Sequence, residues 1–471
     1  MKILIVEDNK TYLNSLTESL ASVDGLTLKT AESRDSADEA LDKDIFDLVI
    51  CDLRIPTVDN AVDSDVSHGQ VVYTRINRDF PGTIVIILSG WAKKEELEKI
   101  IPEARKEDVF GTGEIQMLAY VNKDDDKDLI NTVESLSKEF ASLNDIEINQ
   151  SLGCDLTDIE KRVVQLFASK IDGKIVEVTS LGGGLSGSKV LKIMVTDKTR
   201  ANLAPVVGKL SLLKWVNDAK TRYNRHMAGA LPMGSFAPLN QEIKAGAGNF
   251  GGLFYALANG YDETLFDVLL TGDARAVDAV CHLQKLCAPW CAATVFKPEE
   301  SIGDIRRRLV ADNRMNEFKH LLDGIDWQTF ENRKVSINKC RQHMDFHGLN
   351  SLFTKDLTPV LIDYDNVGFA SRSLDPITLE LSLVFHPAAA AIRGDWPSVT
   401  EASEWPNLEP YLNNCPVPDF VAACRDWARV ETTKREVLAN AYAVLVGLLR
   451  HKTTDKEKAV AMISSIVEAY D

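Results

Sequence analysis

The chain has 471 residues, enough for two to four domains with sizeable cores, and an ordinary globular composition. Its formal net charge of −17 argues against nucleic acid as a principal partner, because a phosphate backbone requires a basic face. The charge is uneven: residues 1–140 hold 16 Lys and Arg against 29 Asp and Glu, whereas the other 331 hold 37 against 41, which predicts two modules of different character.

Residues 2–6, KILIV, form a continuous apolar run ending in Glu7 and Asp8. Such runs are typical of strands covered on both faces of a parallel sheet. Three more follow, at 46–51 ending in Asp52, at 83–88 ending in Ser89, and at 117–122 ending in Lys123. Helical spacing lies between them, at Tyr12, Leu13, Leu16 and Leu20 and again at Leu97, Ile100 and Ile101. This alternation predicts a doubly wound α/β domain whose strand ends gather Glu7, Asp8, Asp52, Ser89 and Lys123 along one crevice. Three carboxylates with one ammonium and one hydroxyl suit Mg²⁺ beside a nucleophilic carboxylate.

The constellation resembles the receiver domain of two-component response regulators, a (βα)5 fold, over residues 1–140. The resemblance implies Asp52 as the acceptor of a phosphoryl group from a sensor histidine kinase or another phosphodonor. It implies Glu7, Asp8 and Asp52 as metal-binding acids, Ser89 as the switch hydroxyl, Tyr120 as the switch aromatic and Lys123 as the phosphate-pairing amine. Three features depart from the family: a longer loop at 58–68, an extended segment at 105–114, and Asp124 where a Pro commonly follows the Lys.

Residues 127–140 predict a helix with Leu129, Val133, Leu136 and Phe140 on one face. The polar stretch 142–154 reads as a linker. A second amphipathic segment at 156–171 carries Ile159, Val163, Val164 and Phe167. Residues 141–174 are therefore expected to join the modules through a linker and a coupling, dimerising or plain packing helix, leaving monomer and homodimer open.

A strand at 175–179, the run Leu181-Gly182-Gly183-Gly184-Leu185-Ser186-Gly187-Ser188 and a strand at 189–195 predict a glycine-rich hairpin. Glycines let backbone N–H groups approach phosphate oxygens. The Gly-Lys-Ser/Thr ending of a Walker A loop is absent. The next strand, 204–210, carries Lys209. The run from Gly246 to Gly251 fits G-x-G-x-x-G, but it leads into a strand-like segment at 253–258 instead of opening a helix, which argues against a dinucleotide site. Residues 304–322 read as a helix with a charged outer face, and Asp375-Pro376 opens another.

The stretch 341–369, RQHMDFHGLNSLFTKDLTPVLIDYDNVGF, concentrates the chemistry. Leu352-Phe353 and Val360-Leu361-Ile362 predict two short strands joined by the four residues 355–358. If Thr354 pairs with Pro359, Asn350 falls opposite Asp363, and Asp345 lies on the loop just before. An amide oxygen and a carboxylate side by side suit Mg²⁺, and a nearby carboxylate suits proton abstraction from a hydroxyl.

HMDFHGLN followed by LIDYD resembles the catalytic and metal loops of the aminoglycoside phosphotransferase and choline kinase family, which shares the protein-kinase fold. The resemblance implies Asp345 as catalytic base, Asn350 and Asp363 as Mg²⁺ ligands, His343 as a loop brace, and His347 where protein kinases usually carry Lys. It also implies Gly183, Gly184, Ser186 and Gly187 covering the phosphates of ATP, with Lys209 steadying them. The family pairs that Lys with a helical Glu; here Asp218 is the only acid between Lys209 and Gln241, and Glu242 comes next.

Eight cysteines at 51, 154, 281, 287, 291, 340, 415 and 424 include no Cys-x-x-Cys, so they read as thiols in a reducing compartment. The N-terminal run reads as a strand, not a signal peptide, and the apolar run at 438–449 contains Asn440 and is too short to span a bilayer. A cytoplasmic protein without membrane contact is expected. The resulting architecture is an N-terminal doubly wound α/β receiver domain and a two-lobed α+β kinase-like domain over 175–471, with a small lobe to about 260 and a helical lobe beyond. The expected function is a receiver-controlled, ATP- and Mg²⁺-dependent phosphotransferase acting on an unnamed hydroxyl acceptor. The alternative is a pseudokinase scaffold switched by the receiver.

Overall fold

The structure, a computed structural model, describes residues 1–90, 105–183, 188–197, 199, 201, 203 and 205–470. They form two compact units, Met1–Asn217 with Leu239–Ala256 and Asp218–Pro238 with Leu257–Asp471.

The first unit opens with a parallel sheet of β1 (Lys2–Val6), β2 (Thr27–Ala31), β3 (Leu48–Asp52), β4 (Ile84–Ser89) and β5 (Leu118–Asn122), in the order β2-β1-β3-β4-β5. Four of these strands are the apolar runs of the sequence. The fifth, β2, lies at the sheet edge and reads TLKTA, with only Leu28 and Ala31 apolar, so it carries little apolar signal. Among the described residues, helices α1 (Lys10–Leu20), α2 (Arg34–Lys43), α3 (Val66–Asp79) and α4 (Asp126–Asn144) accompany the sheet. The Asn9 side chain accepts from the Thr11 and Tyr12 amides to start α1, and Ser33 with Ser36 forms a capping box on α2. The Leu97, Ile100 and Ile101 pattern lies outside the described residues, and the extension at 105–114 contributes to a small hairpin of Lys106–Glu107 with Ile115–Gln116.

A second sheet in the same unit contains β6 (Glu147–Gln150), β7 (Gly173–Gly183), β8 (Lys189–Asp197), β9 (Val206–Leu212), β10 (Leu239–Ile243) and β11 (Phe250–Ala256), in the order β10-β11-β9-β8-β7-β6. All neighbours are antiparallel except β6, which runs parallel to β7. The stretch expected as a linker is thus largely ordered structure: α4 runs to Asn144, β6 extends the sheet, and α5 (Asp158–Ser169) packs on it. The strand was invisible in the polar tetrapeptide EINQ because its backbone pairing with β7, not its side chains, secures it.

One hydrophobic core runs through both sheets. It contains Ile5, Ile86 and Val133 of the parallel domain, Val163, Leu166 and Phe167 of α5, and Ile193, Leu210 and Phe254 of the second sheet. Phe167 stacks on Phe254 with ring centroids 3.9 Å apart, a contact worth about 0.5–1.5 kcal/mol beyond burial. Polar contacts follow the same path: Arg162 on α5 pairs with Asp47 at 2.9 Å, and the Ser169 hydroxyl donates to the Phe110 carbonyl at 3.2 Å. The glycine run between β10 and β11 is part of this joint. The Gly246 amide donates to the Pro81 carbonyl, and a Cβ at Gly246 would lie 2.6 Å from the Val109 carbonyl oxygen, at a φ of +86°. Gly246→Ala should therefore destabilise the chain by about 1–3 kcal/mol in chemical unfolding. Gly229→Ala, at φ +80° with nothing within 4 Å, should cost less because only backbone strain is added.

The second unit is mainly helical. Helix α6 (Asp273–Cys291) contacts β12 (Lys334–Gln342), which pairs on one side with Val295–Ser301. A short hairpin of β13 (Ser351–Phe353) and β14 (Pro359–Leu361) follows, and β15 (Gly368–Ser371) lines the other side of β12. Helix α7 (Leu374–Phe385) is buried on nearly every face and packs against α8 (Pro418–Ala428) and α9 (Lys434–Leu449). The helix expected over 304–322 is broken into Ile302–Arg307, Asp312–Met315 and a 3₁₀ turn at Lys319–Leu322. At the first break the Arg306 side chain is buried, pairs with Glu331 and donates to the Val310 carbonyl at 2.9 Å. No helix among the described residues is long and apolar enough to cross a membrane.

Candidate functional site

At the C-terminal end of the parallel sheet, β1 and β3 deliver Glu7, Asp8 and Asp52 to one place, with a ligand atom of each within 4.8 Å of the others. Glu7 is wholly buried and Asp52 is 8 % exposed. Lys123, just past β5, reaches Glu7 at 2.6 Å and Asp52 at 2.8 Å, and its ammonium lies 5.0 Å from the Tyr12 ring centroid. Burial raises the Glu7 pKa against the opposing pull of Lys123. Burial would lower that of Lys123, but the Asp52 and Glu7 carboxylates outweigh it and raise it. Three carboxylates against one ammonium leave an excess of negative charge in a largely dry setting, which fits a divalent cation held by oxygen ligands. The long loop at 58–68 is not remote from this cluster, since the Ser64 hydroxyl donates to Asp8 at 2.9 Å. Ser89 ends β4 opposite Asn122, with its side chain outside what is described, and Tyr120 on β5 is half-buried against the core.

In the second unit, β12 runs directly into the loop carrying His343, Asp345, His347 and Asn350. Buried Asp375, at the start of α7, accepts the His343 amide at 2.6 Å and the Met344 amide at 2.9 Å. Burial pushes its carboxyl up to about 7, although both amides pull the other way. The buried His343 ring lies 2.9 Å from the Ile362 carbonyl through Nε2, bracing the loop against the strand before Asp363. Burial lowers its pKa, while the Ile362 carbonyl and the carboxylates of Asp345 and Asp363 act to raise it.

The hairpin register differs by one residue from the sequence expectation. Ser351 pairs with Leu361 and Phe353 with Pro359, so Asn350 stands opposite Ile362 and not Asp363. Leu357 adopts φ +62°, which closes the turn over three residues, with the Leu357 amide donating to the Thr354 carbonyl and the Thr354 amide to the Thr358 carbonyl. Asp363 itself has φ +62°, so the chain turns sharply just past β14. Asn350 is nevertheless bonded to Asp345 and to the neighbour of Asp363. Its Nδ2 donates to the Asp345 backbone carbonyl at 2.7 Å, and its backbone carbonyl accepts the amide of Ile362, the residue before Asp363. The amide nitrogen being engaged, Oδ1 is the Asn350 atom suited to a cation.

His347 lies 4.8 Å from His386, centroid to centroid. Burial pushes both down to about 4, with mutual repulsion adding at His386. Neutral rings are therefore favoured in the fold. Their contribution to stability is fully present above an unfolded pKa of about 6.5 and is lost as pH falls toward the folded value of about 4. Tm should drop over that interval, and drop less in His347→Gln.

The glycine-rich hairpin is built by β7 and β8, with Gly183 paired to Lys189; Gly184, Ser186 and Gly187 lie outside the described residues. Lys209 on β9 is 5 % exposed and sits in register with Leu253 of β11. Glu242 of β10 is in register with the same Leu253 from the other side. The three side chains therefore project from one face of the sheet in one row. Glu242 is also paired to Lys244 at 3.0 Å. The sequence reading named Glu242 only as the next acid after Asp218 and could not place it in this row, because cross-strand rows depend on pairings that no local pattern contains.

Residues 3–110 match the family model of the response regulator receiver domain, in agreement with the parallel five-stranded sheet. A search of curated proteins finds no match to the chain. Similar solved structures include the signal receiver domain of an HD domain-containing protein from Pseudomonas fluorescens Pf-5, at 23% identity over 30% of this chain and 91% of that one, with a TM-score of 0.23. Others are aminoglycoside phosphotransferases. APH(3'')-Id from Streptomyces rimosus ATCC10970 is 12% identical over 62% of this chain and 99% of that one, with a TM-score of 0.36. APH(4)-Ia is 14% identical over 65% of this chain and 97% of that one, also with a TM-score of 0.36.

Proposed function

We propose that the chain is a phosphotransferase that uses ATP and Mg²⁺ to phosphorylate a hydroxyl group, under the control of a phosphorylatable receiver domain. The observation that carries this reading is Asn350, whose side chain fixes the Asp345 backbone while its main-chain carbonyl accepts the amide of the residue before Asp363. Asp345 orients the acceptor hydroxyl and takes its proton; Asn350 Oδ1 and the Asp363 carboxylate are the groups that would hold the metal. A bound divalent cation supplies positive charge against the phosphate oxygens. Lys209 pairs with the nucleotide phosphates, and Glu242, in its row, is assigned as the acid that keeps the buried ammonium in place. The catalytic contribution of these residues is positioning and charge stabilisation.

In the receiver, Asp52 attacks the donor phosphorus, and Lys123, bonded in the free state to Asp52 and Glu7, pairs with the phosphoryl oxygens. Control is supported by the shared core, because α5 touches both partners. Its Arg162 pairs with Asp47, its Glu160 pairs at 2.7 Å with Lys189 just past the glycine loop, and its Phe167 stacks on β11. A change at the receiver therefore has a packed route to the nucleotide-binding strands.

Two measurements test the proposal. ATP with Mg²⁺ should raise Tm, and ATP should be consumed when sugars, amino alcohols or hydroxyl-bearing peptides are supplied. Stabilisation without turnover across those acceptors would favour the scaffold reading. Incubation with acetyl phosphate should label the peptide carrying Asp52, and Asp52→Asn should abolish the label; label retained elsewhere would displace Asp52 as acceptor.

A further inference from the structure

We propose that Cys291 and Cys340 form a peroxide-oxidisable dithiol whose disulfide ties the last turn of α6 to the strand that feeds the 343–350 loop. Their Sγ atoms are 2.7 Å apart, with both cysteines as thiols. A covalent S–S bond is about 2.05 Å, so roughly 0.7 Å remains to be closed between two side chains. Cys291 ends α6, and Cys340 lies on β12 three residues before His343, so the bond would close a loop between positions 49 apart.

The two sulfurs have unequal roles. Cys340 is fully buried, whereas Cys291 is partly exposed and can meet a small oxidant. The hydrogen bond from the Cys340 thiol holds Cys291 below the usual thiol range, and the Arg372 guanidinium adds to this against burial, Asp375 and Glu431. The same bond, with burial, pushes Cys340 far up, so of the two sulfurs Cys291 is the one that gives up its proton first and reacts as the thiolate. Its sulfur attacks one oxygen of hydrogen peroxide, giving a sulfenic acid and hydroxide. The Cys340 sulfur then displaces water from the Cys291 sulfenic acid. With the proton first lost by Cys291 returned to hydroxide, two thiols and one peroxide give one disulfide and two waters; each sulfur loses one electron and each peroxide oxygen gains one. Cys287, one turn earlier in α6, is buried and held protonated by that burial.

The pair adjoins the loop brace. Gln342 donates from Nε2 to Cys340 Sγ at 3.1 Å and accepts the Asp375 amide at Oε1, also at 3.1 Å. Asp375 in turn holds the His343 and Met344 amides. A bond at Cys340 thus acts one side chain away from the loop that carries Asp345.

The test is peptide mapping of the full chain after hydrogen peroxide, with remaining thiols blocked by N-ethylmaleimide. The peptides containing residues 291 and 340 should be recovered as one linked species, two hydrogens lighter than their sum and released by dithiothreitol. Recovery of both as alkylated or unlinked oxidised peptides would overturn the proposal, as would linkage of either to another cysteine or to a second chain. Cys291→Ser, at a partly exposed position, should lose the linked species; Cys340→Ser alters a buried site, so the wild-type map decides by itself. The result does not depend on phosphotransfer, since a chain that consumes no ATP still forms this bond or fails to.

Discussion

Asp345→Ala is expected to lower phosphoryl transfer by about 10²–10⁴-fold while leaving the ATP-induced rise in Tm nearly unchanged. The loop around Asp345 is held from its backbone, by Asp375 at His343 and Met344 and by Asn350 at the Asp345 carbonyl. Removing the carboxylate therefore deletes a proton acceptor and leaves its supports standing. An equal loss of ATP binding would mean that the loop had collapsed and that the substitution reported on structure. Undiminished transfer with a folded variant would remove Asp345 as the base. Asn350→Ala should behave differently: it removes a proposed metal ligand and the bond to Asp345, so both turnover and the Mg²⁺-dependent part of ATP binding should fall.

Arg425→Ala is expected to cost about 3–5 kcal/mol of stability, measured by urea unfolding. Arg425 on α8 is 2 % exposed and Glu380 on α7 is wholly buried. Their fork is bidentate, with Nε to Oε2 and Nη2 to Oε1, and Oε1 also accepts the Trp405 indole N–H at 2.8 Å. The guanidinium lies 3.6 Å from the Trp405 ring centroid. Truncation leaves a buried carboxylate without its counter-charge and opens a cavity against the indole. The paired change Glu380→Leu with Arg425→Met should recover much of the loss, because desolvated charges are then absent altogether. A single-variant loss under about 1 kcal/mol would mean that water reaches the pair.

Much of the fold was legible wherever a local run had no alternative partner. KILIV, LVICD and IVIILS are apolar on both faces and could only be covered parallel strands. The edge strand β2 and the tetrapeptide of β6 were not legible, since each is secured by a neighbour's backbone more than by its own side chains. Within the charged stretch 304–322, read as one helix with a solvent face, Arg306 is instead buried against Glu331, 25 residues away, a partner that no local pattern announces. The hairpin register slipped by one because Leu357 takes a left-handed conformation that nothing in its own chemistry favours.

The sequence by itself picked out the candidate residues: Glu7, Asp8 and Asp52 end apolar strands, and Asp345, Asn350 and Asp363 lie within one short segment. Connectivity keeps the second group close, whereas the first is gathered by the parallel pairing of β1 with β3. Only the tertiary structure decided what those groups rest on: Asp375 beneath the 343–350 loop, Glu242 in the row of Lys209, Cys340 against Cys291, and one core shared by both sheets of the first unit. These contacts join residues tens to hundreds of positions apart. Side-chain identity limits what can meet across such distances, but the packing of whole elements selects what does.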